Sequence, residues 1–534
     1  MKPLQFIATL TLCASIFFPF KSSADSRKEM DLSGQGWKLW LDKDAKWESD
    51  ELFLPPVDMA KLPVNVPTAG WEALDDGREV SVPGTVEEYL SKGGGPGDDI
   101  KGVSWWTRKI KIPTASSPRR LLLRFEAVRL RAEIFVNRKL VGYDVIGNTP
   151  FEVDITDAAK PGEEIELAVR VTDPGGNFDW RDSSSFQWGN YSIPMSHGFG
   201  GIIGKVRLVW CDPVYLDDVY VQNTPVVTNV NVIVTVKNTR DAVVRGDVEI
   251  GFQAKSDAER ILWSYDVPLA FHSVLTDIVL LPGTNILRFN ASVANPKLWD
   301  VEHPDLYICS CTLRDGKAVV DQVNQNFGFR WFAPENVGSN AVFRLNGKRI
   351  VLRTAISWGF WPINGIFPTP ELAQKQIQSA KALGLNMLNF HRCIGSPEVL
   401  DEADGQGLLY YEEPGAYKAG EGEFGEALAR EKLLRMVKRD RSHPSLVIYS
   451  MINERNQGIP FQARERADML SAHQIDPSRT MTLSSSWATL VDQPQDIKAH
   501  MRPFDKEIHF TGWYDNHHAG GPEVWRQNLY RSPT

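Results

Sequence analysis

The pattern of hydrophobic and polar positions divides the chain into two parts with different periodicity. From about residue 31 to 333, short segments alternate apolar and polar side chains, and turns rich in Asn, Pro and Gly separate them. This alternation predicts β-strands. We predict one β-sandwich over residues 25–211 and an immunoglobulin-like β-sandwich over residues 212–333. The predicted strands include 121–128, 132–137, 165–171, 217–222, 229–238, 247–254, 284–293 and 306–313.

After about residue 343, helical patterns alternate with short apolar strands, which is typical of βα units with a parallel sheet. We predict a (β/α)8 TIM barrel over residues 334–534, with a first helix at 370–384 that stops at Gly384. Six strands can be counted, whereas a closed barrel needs eight. We therefore expect the barrel to be incomplete at its C-terminal side and the chain to be an incomplete coding product. The six strands are predicted at 349–355, 386–391, 407–413, 446–452, 481–486 and 507–514.

The fourth predicted barrel strand carries the clearest chemical signal. Residues 446–452 are almost entirely apolar, as a strand buried on both faces should be, and they lead into Asn453 and Glu454. Barrel enzymes place their chemistry at such C-terminal strand ends. A Glu beside an amide that can hold a hydroxyl group suits proton donation to a glycosidic oxygen. An isolated Asn-Glu pair would more often be a cap followed by a solvated charge, and only the strand context favours chemistry.

Composition and the N-terminus narrow the classes of function. The net charge of −8 argues against a nucleic-acid partner. The 17 Trp residues suit stacking against sugar rings, although most are expected in the core. Lys2, the apolar stretch 4–20 and the small residues 22–24 predict a secretory signal peptide over residues 1–24. We therefore expect export to the periplasm or the cell exterior, without a membrane span, and the cysteines form neither a disulfide framework nor a zinc spacing.

Short motifs also occur in the order typical of one enzyme family, and with them the chain resembles glycoside hydrolase family 2 from about Gly34 to Thr534. That family includes β-galactosidases, β-glucuronidases and β-mannosidases. The resemblance implies a jelly-roll sugar-binding sandwich, an immunoglobulin-like sandwich and a catalytic barrel. It also implies retaining hydrolysis of a β-linked sugar. The motifs lie at residues 82–84, 105–108, 151–156, 200–204, 295–299, 304–307, 327–330 and 345–348.

The resemblance assigns roles at the end of strand four and at the neighbouring strand two. Glu454 matches the family's general acid/base, and Asn453 would bind the 2-hydroxyl of the sugar. His391 follows strand two, where the family carries a substrate-contacting histidine. A packed histidine satisfied by the backbone is the alternative for His391.

The resemblance is less specific at strands three and six. Glu413 matches a family carboxylate that could orient a hydroxyl, raise the pKa of the acid or hold a cation, although adjacent surface carboxylates would look the same. Trp513 could form a stacking wall, with core packing as the alternative. Trp358 and Trp487 are weaker candidates of the same type.

Two departures from the family pattern limit these expectations. Residues 354–359 and Arg455 differ from the usual sequence around the sugar pocket, so the sugar cannot be assigned by analogy. A retaining enzyme also needs a second carboxylate as nucleophile, which the family supplies from strand seven. Glu523 follows Pro522 at the start of a predicted helix, where a carboxylate suits the helix dipole, and we do not assign it as the nucleophile.

These features leave a glycoside hydrolase as the preferred function and two alternatives from other classes. The first alternative is a non-catalytic carbohydrate-binding protein derived from such an enzyme. The second, an adhesion module built on the sandwiches, does not explain the barrel strands. We expect a carbohydrate partner and no cofactor or metal, and assembly into a homo-oligomer stays open.

Overall fold

The computed structural model describes residues 27–92, 100–114, 119–175, 186–193, 198–256, 269–335, 342–359, 361, 365–415, 422–451, 453 and 458–482. Glu454, Arg455, Trp487, Trp513, Glu523 and the predicted signal peptide lie outside these ranges. Within them, no helix combines the length and apolar character that a bilayer crossing requires.

The first domain is a β-sandwich, as predicted, in which a six-stranded sheet packs against a four-stranded sheet. Successive residues of a strand point to opposite faces. In the strand Gly102–Lys111, Trp106 therefore enters the core between the two sheets, while Trp105 enters a second core on the other face. The six strands, in sheet order, are Arg78–Val82, Gly34–Asp42, Gly102–Lys111, Glu164–Asp173, Arg131–Val136 and Lys139–Asp144. The four are Lys28–Asp31, Val206–Cys211, Arg120–Phe125 and Phe151–Asp154.

Smaller elements complete this domain. A three-stranded ribbon joins Gly84–Thr85, Gly201–Ile202 and Val128–Arg129, and a hairpin pairs Phe186–Trp188 with Tyr191–Ile193. The helical segments are Val86–Leu90, Met59–Lys61 and Trp71–Asp76.

The second domain confirms the predicted immunoglobulin-like sandwich. The strand Asn229–Asn238 alternates half-buried and buried positions without exception, so its valines fill the core between the sheets. Cys309 and Cys311 face the same core as free thiols. Two strands, Phe271–Leu280 and Ala318–Phe327, were not predicted. The sheets, in order, are Val214–Asn223, Asn229–Asn238 and Gly283–Ser292, and Phe271–Leu280, Val244–Ala254, Tyr307–Asp315 and Ala318–Phe327.

The described part of the third domain contains five parallel strands of the barrel, and its first strand corrects the prediction. The predicted sixth strand, at 507–514, lies outside the described residues. The predicted strand 349–355 is two elements. Lys348–Ile350 closes an antiparallel sheet with Phe332–Glu335 and Val342–Leu345, and barrel strand one is Thr354–Ser357. Leu345 and Lys348 are paired across a tight turn at Asn346 and Gly347, both with positive φ, so the first two residues of the predicted strand belong to that hairpin.

The remaining barrel strands follow the predicted order and are almost completely buried. Barrel strand four, Leu446–Ser450, is buried at all five positions, because strands three and five flank it and helices cover it. The other strands are Met387–Phe390, Leu409–Glu412 and Thr480–Thr482. The helices are Pro370–Ala382, Pro397–Gln406, Gly422–Asp440 and Gly458–Ile475. Thr369 caps the first of them by accepting a hydrogen bond from the Leu372 amide, and Gly384 follows its end at φ 77°.

Two arginines tie the second domain to the N-terminal end of barrel strand four. Arg330 donates to the carbonyls of Pro444 and Leu446 at 3.0 and 2.7 Å, and Arg479 donates to the Leu446 carbonyl at 3.0 Å. Arg479 also pairs with Asp476 at 2.8 Å, and the Tyr220 hydroxyl donates to the same carboxylate at 2.6 Å. Strand four is thereby fixed at the end opposite to Asn453.

Candidate active site

The C-terminal ends of barrel strands two, three and four bring together the polar residues that the sequence singled out. His391 directly follows strand two, Glu413 directly follows strand three, and Asn453 lies three residues beyond strand four. Because these strands are parallel neighbours, their C-terminal ends open on the same face of the barrel. All three side chains are buried.

Glu413 is held in a defined orientation against His391. Its Oε1 lies 3.7 Å from His391 Nδ1 and accepts a hydrogen bond from Asn389 Nδ2 at 3.4 Å. Its Oε2 accepts from the Arg392 amide at 3.1 Å. Glu412 and Glu413 are both fully buried, so they are not the surface carboxylates that the alternative interpretation required. At 3.7 Å the carboxylate is too distant for a hydrogen bond to the imidazole, but it places a negative charge beside Nδ1.

Trp358 forms an aromatic wall beside His391. The two rings meet edge to face, with centroids 4.5 Å apart and an interplanar angle of 83°. The Arg392 guanidinium carbon lies 5.2 Å from the centroid of the Trp358 ring. Arg392 adopts a positive φ of 58°, an uncommon conformation for a residue other than glycine. The segment 354–359, where the sequence departs from the family pattern, thus contributes directly to this site.

Glu412 belongs to a different set of contacts below the site. Its Oε1 accepts from the Gly395 amide at 2.8 Å and lies 3.6 Å from Arg439, which itself pairs with Asp440 at 2.7 Å. Burial, reinforced by the Asp440 carboxylate, raises the pKa of Glu412 well above its usual range. The raised pKa favours the protonated form of Glu412, whose contacts with the Gly395 amide and Arg439 support the loop after His391.

Asn453 is fully buried at the end of strand four, as a residue that orients a neighbouring group would be. Glu454 lies outside the described residues, and so does Trp513. Their roles stay predictions.

The sequence analysis missed Lys432, which reaches the same end of the barrel from the helix Gly422–Asp440. Its side chain is 3% exposed and lines a small cavity with Cys393 and Gly415, each two residues beyond a predicted site residue. Burial, reinforced by Arg129, lowers the pKa of Lys432 to about 7. In an amphipathic helical pattern, a lysine is normally assigned to the solvent-exposed face, so the sequence did not predict that Lys432 is buried.

Within the described ranges, one group of metal-ligand side chains comes close together, namely Asp401, Asp404 and His443. It lies near the N-terminal end of strand four, away from the candidate site. His443 Nδ1 is 2.6 Å from Asp404 Oδ2, and the Ser445 amide donates to Asp404 Oδ1 at 2.9 Å. Although burial opposes protonation, Asp404 raises the pKa of His443 to about 9. A pKa in this range favours the protonated imidazole, so His443 and Asp404 form an ion pair.

The chain resembles characterised proteins along most of its length. It is 27% identical over 391 residues to a β-galactosidase of Thermoanaerobacter pseudethanolicus, covering 72% of this chain and 48% of that protein. It is 25% identical over 431 residues to a β-glucuronidase of Bacteroides fragilis, covering 77% and 58%. A β-glucuronidase of Formosa agariphila is 24% identical over 403 residues, covering 72% and 39%. The chain thus spans between 39% and 58% of the length of these relatives.

Solved structures share the fold at lower sequence identity. A β-glucuronidase of Bacteroides uniformis matches with a TM-score of 0.69 and 20% identity, covering 94% of this chain and 57% of that one. A β-glucuronidase of Parabacteroides merdae matches with a TM-score of 0.66 and 22% identity, covering 90% and 60%.

Family models match each of the three domains in turn. The glycosyl hydrolases family 2 sugar binding domain matches residues 57–210, the family 2 model itself matches residues 214–330, and the family 2 TIM barrel domain matches residues 340–522. Each match falls within one of the segments that the sequence pattern delimits. Because the three models follow one another over most of the chain in the order of its domains, the chain belongs to glycosyl hydrolase family 2.

Proposed function

We propose that this protein hydrolyses a β-linked glycoside with retention of configuration. The observation that carries the proposal is the convergence of His391, Glu413 and Asn453 at the ends of three neighbouring barrel strands. Asn453 immediately precedes Glu454, and strand four is the strand that the family uses for its acid/base. In this proposal the sugar binds against His391 and Trp358.

The reaction needs two carboxyl groups. Glu454 donates a proton to the glycosidic oxygen while a second carboxylate attacks the anomeric carbon and the bond to the leaving group breaks. Glu454 then removes a proton from water, which attacks the same carbon and releases the sugar and the carboxylate. Asn453 would hold the 2-hydroxyl, a contact that strengthens as positive charge develops on the sugar ring. We assign no residue of this chain to the second carboxylate, which in this proposal comes from a seventh barrel strand encoded beyond Thr534.

The test is the substitution Glu454→Gln, assayed on a panel of aryl β-glycosides. We expect the rate of hydrolysis to fall by about 10²–10⁴-fold, because glutamine cannot donate the proton. Sugar binding should remain, since the amide preserves the shape of the side chain. Glu423→Gln, on the exposed start of the helix Gly422–Asp440, is the matched control and should leave the rate unchanged. With the unmodified protein, NMR should show that the sugar is first released as its β-anomer.

A wild-type protein that binds sugars but hydrolyses none of them would instead favour the carbohydrate-binding protein. Reading the coding sequence downstream of Thr534 then separates the two functions. A further apolar strand ending in Glu would supply the nucleophile, and a stop codon would favour the binding protein.

We also propose that the protein is exported. Export rests on the charged, apolar and small-residue pattern of residues 1–24. N-terminal sequencing of the mature protein should begin near Asp25. Assembly into a homo-oligomer stays open, and light scattering decides it by comparing the mass in solution with that of one chain.

A further inference from the structure

A small cavity lies behind the loops that carry the candidate site residues. Its volume is about 30 Å³, enough for a water molecule or two or for one compact anion. Its wall includes Gly359, Cys393 and Gly415. Gly359 directly follows Trp358 in the sequence, while Cys393 and Gly415 lie two residues after His391 and Glu413. Lys432 enters the same wall from its helix, and Asn148 enters from the first sandwich. The cavity therefore borders both the barrel site and the sugar-binding sandwich.

Lys432 is the unusual member of this wall. Its side chain is 3% exposed, yet its ammonium group makes no hydrogen bond or ion pair within the part of the chain described here. No described carboxylate lines the cavity. The strongest neighbouring charge is Arg129, which is fully buried and pairs with Asp173 at 2.5 Å. Lys432 thus faces further positive charge and, among the described residues, lacks an acidic partner.

Space for a ligand is kept open next to the ammonium group. A Cβ atom on Gly415 would lie 3.4 Å from Lys432 Nζ, and Gly415 adopts φ 80°, where side chains are disfavoured. The Oδ1 atom of Asn148 is also buried without a hydrogen-bond partner. Since the oxygen and nitrogen of a side-chain amide can exchange places by rotation, Asn148 can turn an N–H donor toward an anion.

An ammonium ion removed from water is strongly unfavourable unless it gains a counter-ion or loses its proton. We propose that this cavity is a binding site for a compact monovalent anion, either a carboxylate or a halide, that acts as the counter-ion of Lys432. Two sources can supply the same chemistry. One is a free anion from solution, and the other is the carboxylate of an acidic sugar bound against His391. Only the second source rests on the proposed glycosidase function.

The first experiment measures thermal unfolding at pH 6 and constant ionic strength, while sodium formate or chloride replaces the sodium salt of a bulky sulfonate. We expect the Tm of the wild-type chain to rise and saturate with either small anion, because a ligand of the folded state stabilises it. Lys432→Met should abolish this response. Lys438→Met, on an exposed position of the same helix, is the matched control and should keep it.

A second variant tests the idea without removing the lysine. Asn148→Asp places a fixed carboxylate on the cavity wall, and Asp tolerates the φ of 55° found at this position. This variant should unfold at a higher temperature than the wild type without added anion, and formate should no longer raise its Tm. A wild-type Tm that does not depend on anion identity, or an equal response in Lys432→Met, would overturn the proposal.

The anion response should also weaken between pH 6 and pH 9, because the neutral amine attracts an anion only weakly. The groups that face Lys432 are Arg129, from the first sandwich, and Cys393, from the loop after strand two. Cys393 in turn faces Glu412 and Glu413. Burial raises the pKa of the Cys393 thiol, so this neighbour stays neutral over the same range of pH.

The second experiment separates the two sources of the anion. Calorimetry compares methyl β-D-glucuronide with methyl β-D-glucoside as ligands, with and without saturating formate. If the sugar carboxylate occupies the cavity, the wild type should prefer the glucuronide by about tenfold or more, and formate should compete. The preference should disappear in Lys432→Met. If a free anion occupies the cavity, the ratio of the affinities for the two glycosides should be the same in the wild type and in Lys432→Met. The Tm of the wild type should still rise with small anions.

Neither readout requires turnover, so the two proposals can fail separately. Glu454→Gln should keep the dependence of the Tm on small anions even though it removes hydrolysis. Loss of the anion response with hydrolysis intact would overturn only the anion site.

Discussion

The charged side chains at the two ends of the barrel strands differ in whether they have partners of opposite charge. At the N-terminal end, Arg479 pairs with Asp476 at 2.8 Å, and His443 pairs with Asp404 at 2.6 Å. At the C-terminal end, the Lys432 ammonium has no acidic partner in the described part of the chain, and burial beside Asp440 raises the pKa of Glu412. Asp476, Arg479, Lys432 and Glu412 are all buried, whereas His443 is half-buried. The contrast indicates that the paired charges at the N-terminal end stabilise the fold. At the C-terminal end, a ligand can supply the counter-charge that the described residues do not.

The largest effect that tests this contrast is expected at Lys432. Its pKa falls from 10.5 to about 7 on folding, so the folded state loses a proton that the unfolded chain keeps between these values. The charge therefore destabilises the fold fully below pH 7, and the penalty disappears as the pH rises toward 10.5. Lys432→Met should raise the free energy of unfolding by up to about 5 kcal/mol at pH 6 without small anions.

Denaturant titrations from pH 6 to pH 10 measure the effect. The difference between variant and wild type should shrink as the pH rises. Lys438→Met should show no such trend, and a variant that is less stable than the wild type at pH 6 would contradict the contrast.

The next largest effect has the opposite sign and lies at the N-terminal end. Arg479→Met leaves the buried Asp476 carboxylate without its cation and removes a donor from the Leu446 carbonyl. Breaking a buried pair from one side should lower the free energy of unfolding by about 3–5 kcal/mol. Chemical denaturation at pH 7 measures this loss. Arg245→Met, which breaks an exposed pair with Asp277, is the control and should change the value by less than about 1 kcal/mol.

The smallest effect compares two glutamates whose pKa values move in opposite directions. The folded state holds a proton on Glu412 that the unfolded chain loses above about pH 4.5, so the wild type loses stability as the pH rises. Glu412→Gln should match the wild type near pH 4.5 and be more stable than the wild type at pH 8.

Glu398 is the matched control for that prediction. Although burial opposes it, the Ser396 hydroxyl and Lys205 lower the pKa of Glu398. Its contribution to stability is present above the unfolded pKa and is lost as the pH falls. Glu398→Gln should therefore be less stable than the wild type at pH 8, and identical pH trends in the two variants would contradict the assigned charge states.

Periodicity predicted most of the fold because burial imposes it directly on the sequence. The strands at 229–238 and 446–450 show it most clearly, with strict alternation in the first and continuous burial in the second. The strand Phe271–Leu280 was missed because it lies at a sheet edge and keeps exposed polar residues among its apolar ones. The predicted barrel strand at 349–355 was wrong because a hairpin and the true strand follow each other within a few residues.

The candidate site was predictable only in part, and for a physical reason. His391 and Glu413 could be located because each follows an apolar strand, and parallel strand ends converge. Lys432 could not, since its burial depends on the packing of its helix against loops and against the first sandwich. A sequence pattern reports which face of an element is buried, but it does not report which neighbours supply charge.

The contacts of Arg330 and Tyr220 also have a practical meaning for dividing this chain into pieces. Both residues belong to the immunoglobulin-like domain, yet they provide hydrogen bonds to the floor of the barrel. A fragment starting at residue 334 would lack these donors, leaving the Pro444 carbonyl and one contact to Asp476 unfilled. The boundary that separates the domains along the sequence thus cuts through buried hydrogen bonds, and we expect the barrel to be less stable as a fragment than in the full chain.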